Sequence, residues 1–286
     1  MTVVDLHQHL WPEAFVSALS ARTEPPFLRG STVVLGEGEF ELDLREHELE
    51  RRLAGLDRDG TELAVVSLQT TIGLDRLPSG ERESLVEIWE VGARELVAAA
   101  GGRLAALSAG GSLEGFVGAA VGSAALTDFD ALAPLLDELG RRGSFLFVHP
   151  SGGPVEGRPP WWSAVAVYPA QMQAAYMNWL AEGQERWSSL PVVFAILAGG
   201  APFQLERLAT RGVDVRSTLH DNVFLDTSSY GRRALELCIE TFGVAQLVYG
   251  SDIPVVDAAP TLHAVLGFGD SVAHMIRDAN PTRLLQ

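Results

Sequence analysis

Runs of buried-strand composition alternate along this chain with stretches in which apolar residues recur every three or four positions. The first kind predicts strands at residues 3–7, 62–68, 103–108, 116–121, 144–149, 192–197, 223–227 and 247–251. The second predicts helices at 45–59, 81–100, 128–142, 170–187 and 232–242. Eight strands interleaved with helices point to an α/β protein, a single (β/α)8 TIM barrel. The connections after the third and fourth strands look short. Residues 22–44, with Pro25-Pro26 and several glycines, form a small insertion near the N-terminus.

Three of these strands run straight into a polar residue at their C-terminal end. Val3-Val4-Asp5-Leu6-His7-Gln8-His9 places two histidines at i and i+2, a spacing that turns both imidazoles to one face of a strand. Phe145-Leu146-Phe147-Val148-His149-Pro150 and Leu247-Val248-Tyr249-Gly250-Ser251-Asp252 repeat the arrangement in the middle and at the end of the chain. In a barrel these strand ends meet at the face where active sites lie, so the four side chains become candidate ligands of a divalent metal. Taken singly, His149 reads equally well as a satisfied buried histidine and Asp252 as a capping aspartate.

Composition narrows the picture. The 286 residues are 47% hydrophobic, enough for one barrel core with its helical layer, and residues 1–286 show no linker, repeat or low-complexity tract. With 37 acidic against 21 basic residues the formal charge is −16, which opposes binding to phosphate backbones and makes nucleic acid an unlikely partner. No apolar run reaches the length of a membrane span and no secretory leader pattern opens the chain, so a cytoplasmic protein acting on a small molecule is expected. A homodimer is compatible with these features. The single cysteine, Cys238, falls among Leu235, Leu237 and Ile239 and reads as a small core residue.

These motifs resemble the amidohydrolase superfamily, and within it the amidohydrolase-2 group that includes the aminocarboxymuconate-semialdehyde decarboxylase-like enzymes. The resemblance rests on Asp-x-His-x-His, His149-Pro150, Gly199-Gly200, Asp226-Thr227-Ser228, Gly250-Ser251-Asp252-x-Pro254 and the closing Asn280-Pro281-x-Arg283-Leu284-Leu285. It implies a mononuclear metal held by His7, His9, His149 and Asp252, zinc first, with manganese or iron also acceptable to such a nitrogen/oxygen set. It also implies that Asp252 is the catalytic acid/base beside an activated water. In this group residues 22–44 would form a hairpin beside the pocket, which the alternation Thr32-Val33-Val34-Leu35 and Glu39-Phe40-Glu41-Leu42 permits.

One position departs from the group. Its members commonly carry an acid/base histidine at the end of the sixth strand, where Phe194-Ala195-Ile196-Leu197-Ala198-Gly199-Gly200 places Leu197. A leucine moves no proton, and decarboxylation, which must protonate carbon, suffers more from that loss than hydrolysis does. The expectation is therefore a metal-dependent hydrolase of an amide, lactone or related carbonyl. A metal-dependent decarboxylase is the alternative, and a metal-free or non-catalytic binding barrel a third.

Substrate contacts are expected from Arg158, Trp161 and Trp162 in the long Gly/Pro-rich loop after the fifth strand, from Leu197, and from Ser228 after the seventh strand. Gln69, Thr70, Thr71, Ser229 and Tyr230 occupy similar strand-end positions, where turn and capping roles are equally natural. The tryptophans equally well anchor their loop to a neighbouring element. No role falls to His47, His220, His263 or His274.

Overall fold

Strand β1 (Val4–His9) is buried at all six positions, as a strand covered on both faces must be. The structure is a computed structural model and describes residues 2–153, 155, 157–215 and 220–286. After β1 and helix α1 (Glu13–Ser20) come the short strands β2 (Phe27–Arg29), β3 (Thr32–Leu35) and β4 (Gly38–Glu41). The chain then runs through α2 (Leu49–Arg58), β5 (Leu63–Ser67), α3 (Ser79–Ala99), β6 (Leu104–Ser108), β7 (Gly118–Gly122), α4 (Phe129–Arg142) and β8 (Phe145–His149). It continues with α5 (Tyr168–Asn178), α6 (Gln184–Arg186), β9 (Val192–Phe194), α7 (Pro202–Ala209), β10 (Val223–Asp226), α8 (Arg232–Phe242) and β11 (Leu247–Val248). Helices α9 (Ala259–Leu266), α10 (Asp270–His274) and α11 (Asn280–Leu284) close the chain.

Eight parallel strands follow the order β1-β5-β6-β7-β8-β9-β10-β11. The ring closes where Leu6 N–H donates to Tyr249 O at 2.9 Å, Asp252 N–H to His7 O at 2.8 Å and His9 N–H to Ile253 O at 2.7 Å. The expected (β/α)8 barrel is therefore present, with each of the eight predicted strands in its place.

The helices form for local reasons as well. At the start of α4, Asp128 accepts a hydrogen bond from Ala131 N–H at 3.0 Å, and a left-handed Gly143 ends the helix. Its apolar face, Phe129, Leu132, Leu136 and Leu139, is buried against the barrel. The β6–β7 connection, residues 109–117, contains three glycines and no helix. The connection after β7 is not short, because it carries α4.

The N-terminal insertion is a three-stranded antiparallel sheet with Thr32 opposite Glu41 and Val33 opposite Phe40. Leu28 and Val33 pack with Trp11, Phe15, Leu68 and Ile72 in a second apolar core, which fixes the hairpin beside the barrel mouth. No helix among the described residues is long and apolar enough to cross a membrane.

Candidate metal centre and its cavity

The C-terminal ends of β1 and β8 and the loop after β11 bring His7, His9, His149 and Asp252 together, all buried, with candidate ligand atoms within 4.8 Å of one another. His7 Nε2 lies 3.0 Å from His9 Nε2. Asp252 Oδ1 lies 3.1 Å from His9 Nε2 and 3.5 Å from His7 Nε2.

The other ring nitrogens decide what these atoms can do. His7 Nδ1 meets Asp226 Oδ2 at 2.6 Å, His9 Nδ1 meets Ser67 O at 3.1 Å, and His149 Nδ1 meets Pro150 O at 3.1 Å. Each partner is a pure acceptor, so each Nδ1 carries the hydrogen and each Nε2 presents a lone pair to the centre. Two lone pairs facing each other at 3.0 Å repel unless a cation lies between them. Asp252 Oδ1, buried and without a hydrogen-bond partner, adds a third electron-rich atom. Bonds of about 2.0–2.2 Å would set ligand atoms roughly 3.0–3.5 Å apart around one ion, so the residues fit a divalent metal.

Burial pulls all three imidazoles toward neutrality, but the charges of Asp226 and Asp252 more than offset it at His7, whose pKa is held at about 9. Burial and the charge of His7 lower His9 and His149. Asp252 would be raised by burial, yet the surrounding histidines bring it below the ordinary carboxylate value. Without metal the cluster thus favours one shared proton on His7 rather than three.

Local backbone devices hold this geometry. Asp252 has φ 60°, a left-handed conformation uncommon for a non-glycine residue and typical of strain kept at a functional site. A Cβ at Gly250 would come within 2.8 Å of His7 Cβ and 2.9 Å of Asp226 Cγ, so only glycine lets β11 approach them. Asp5, the acid of the first-strand motif, lies outside the ligand cluster and accepts from Ser251 N–H at 3.0 Å and Gln8 Nε2 at 2.7 Å. It ties β1 to the loop after β11.

The cluster opens into a cavity of about 680 Å³, of a size that takes a single-ring ligand. His9, His149 and Asp252 stand on its wall among mainly apolar neighbours. The expected substrate contacts are corrected here. Leu197 is 1% exposed in the barrel core and absent from the cavity wall, where Ile196 stands instead. The sixth barrel strand ends at Phe194, and Ile196, Leu197 and Ala198 all have φ near +50°, so a strand-based reading misassigns which residue faces inward. Ser228 is also off the wall, because its hydroxyl and N–H both donate to Asp226 Oδ1; Ser229 and Tyr230 line the cavity.

Arg158, Trp161 and Trp162 do not line it either. Trp161 is 56% exposed, and Arg158 stacks over Trp162 at 4.5 Å, so the loop's aromatic groups pack mostly on themselves. Ala164, Val165 and Tyr168, just beyond them, form that wall. Gln69 and Thr71 do line the cavity.

Sequence reasoning missed Glu37, His47 and Tyr168, and gave Asp226 no task. Asp226 carried a readable signal, since it ends a short apolar strand as the ligands do. Glu37 and Tyr168 carried none, because a hairpin turn and a helix start do not disclose where a side chain ends up.

No protein-family model and no curated protein matches the sequence. Among solved structures, the chain resembles the apo IDCase of Metarhizium anisopliae at 20% identity, TM-score 0.84, over 99% of this chain and 97% of that one. It resembles 5-carboxyvanillate decarboxylase LigW of Sphingomonas paucimobilis at 17% identity, TM-score 0.74, over 99% and 98%. A third is the dihydroxybenzoic acid decarboxylase of a Polaromonas species with bound manganese and the inhibitor 2-nitroresorcinol, at 15% identity, TM-score 0.75, over 99% and 96%. Over nearly its whole length the chain shares the fold of these decarboxylases.

Proposed function

We propose that this chain is a member of the amidohydrolase superfamily, in its amidohydrolase-2 branch, and a metal-dependent carboxy-lyase acting on a small aromatic carboxylate. His7, His9, His149 and Asp252 would hold the metal. Bound there, a divalent cation supplies a Lewis acid that anchors the substrate's acidic oxygens and spreads their charge. The manganese of the Polaromonas decarboxylase makes that ion as good a candidate as zinc.

The observation that carries the reading is Asp252 Oδ1, an unpartnered buried carboxylate oxygen on the wall of a largely apolar cavity. When the bond to the carboxylate breaks, CO2 leaves and the electron pair stays on the ring carbon. Asp252, ionised at rest, takes a proton from cavity water and passes it to that carbon, a far stronger base. The apolar wall favours release of uncharged CO2 and limits the water available for competing reactions.

Hydrolysis was favoured on the sequence because Leu197 occupied the place of an acid/base group. That ground falls away with Leu197 in the core. The decarboxylase folds found for the neighbours support the lyase instead.

The test is CO2 release by manganese- and zinc-loaded protein from a panel of aromatic carboxylates, run beside lactones and amides. Decarboxylation should dominate and Asp252→Asn should abolish it. Hydrolysis faster than any decarboxylation would restore the hydrolase.

A further inference from the structure

The charged lining of the cavity is one-sided. Besides Asp252 it comprises Glu37, Glu41, Asp43 and Glu46, and among the described residues no arginine lines it. The chain contains no lysine at all.

Three of those acids are engaged outside the cavity. Asp43 pairs with Arg45 at 2.6 Å, Glu46 with Arg51 at 2.5 Å, and exposed Glu41 accepts from Thr32 and Ser31 hydroxyls at 2.6 and 3.0 Å. Glu37 differs. It reaches from the turn between β3 and β4, accepts Gly153 N–H at 2.9 Å and the Tyr168 hydroxyl, and makes no ion pair among the described residues. Its partners are neutral, so its charge stays uncompensated beside an apolar wall of Val33, Leu35, Phe40 and Ile196. The Gly153 and Tyr168 bonds also fix where that charge stands.

From this arrangement we infer that Glu37, positioned by Tyr168, sets specificity at the end of the substrate away from its reacting carboxylate. It selects a monocarboxylate whose far end carries a hydrogen-bond donor, best an ammonium group, and rejects a second carboxylate. A cation at the metal centre compensates one substrate anion, whereas a second would face Glu37 with no basic side chain to offset it. Like charges held together in a desolvated site cost several kcal/mol, and a donor aimed at a fixed carboxylate gains in proportion. The inference rests on the reading of this site as one that binds a carboxylate for decarboxylation.

The test measures binding, not turnover. Manganese-loaded protein is titrated calorimetrically with 4-(aminomethyl)benzoate, benzoate and terephthalate. The affinities should fall in that order, with about tenfold or more between first and last. Glu37→Gln should bring the extremes within about threefold, while Tyr168→Phe, which removes a donor from Glu37, should widen the gap. Terephthalate binding as tightly as 4-(aminomethyl)benzoate, or an order unmoved by Glu37→Gln, would overturn the inference. A protein that discriminates in this way yet releases no CO2 from any aromatic acid would sink the lyase and leave the role of Glu37 standing.

Discussion

Asp226 is the residue on which the most contacts at the metal centre depend. Its Oδ2 takes His7 Nδ1 at 2.6 Å, while Oδ1 accepts from Ser228 N–H at 2.7 Å and Ile196 N–H at 3.2 Å. Asp226→Asn keeps the shape but loses the charge that orients His7 and makes its Nε2 a stronger ligand. Metal affinity should fall about 10–100-fold, read by competition with a chromophoric chelator. An unchanged affinity would show that His7 needs no such support. His7→Ala and His149→Ala should remove metal and activity together while the barrel still unfolds cooperatively, because its stability resides in the packed strands and helices. The four ligand positions were legible because each follows an apolar strand, and in a barrel the C-terminal ends of such strands converge on one face. Ile196, Ser229, Tyr168 and Glu37 were not, because strand periodicity stops at the strand's end and loop direction depends on contacts far away in sequence.

At the scale of elements, the segment after β9 has the strongest consequence. Ile196, Leu197 and Ala198 are left-handed, a conformation costing about 1–2 kcal/mol for each non-glycine residue, and Gly199 and Gly200 continue it. Gln173 Nε2 donates to Gly199 O at 2.6 Å and Asp226 holds Ile196 N–H, so tertiary bonds offset the strain. A Cβ on Gly199 would come within 2.1 Å of Pro169 O, and no flexible side chain is there to yield. Gly199→Ala should therefore destabilise the protein by about 2 kcal/mol or more in urea unfolding and push Ile196 off the cavity wall. Leu197→His should also destabilise, because it buries an imidazole in the core, and should add no decarboxylase activity. A gain in turnover from Leu197→His would mean that this side chain faces the cavity after all. The strands themselves were readable because each is short, apolar and ended by polar or turn residues. The helix expected at 170–187 is instead a composite in which π-helical turns at Ser163–Val167 and Trp179–Gly183 flank α5, a distinction that apolar spacing does not encode.

For the whole molecule, barrel and hairpin meet at His47, which the sequence left without a role. It is buried on the cavity wall, stacks on Trp11 with ring centroids 4.8 Å apart, and accepts Trp11 N–H on Nδ1 at 3.1 Å. Protonation would break that bond. Burial, then the charges of Arg52 and His9, press its pKa down from 6.5 to about 3. The unfolded chain binds this proton below about pH 6.5 and the folded chain does not, so stability is lost as pH falls through the window between the two values. Burial shifts His9 and His149 in the same direction in the metal-free protein. His7 acts oppositely: its pKa of about 9 gives stability present below about pH 6.5 and lost as pH rises through 9. Metal-free protein should accordingly be most stable near about pH 6.5 and weaken on both sides. His47→Gln should flatten the acid side by up to about 1.4 kcal/mol per pH unit in urea unfolding, leaving the alkaline side as it was. An acid slope identical in the variant would mean that His47 is protonated in the folded protein, and that Trp11 N–H is not bound to it.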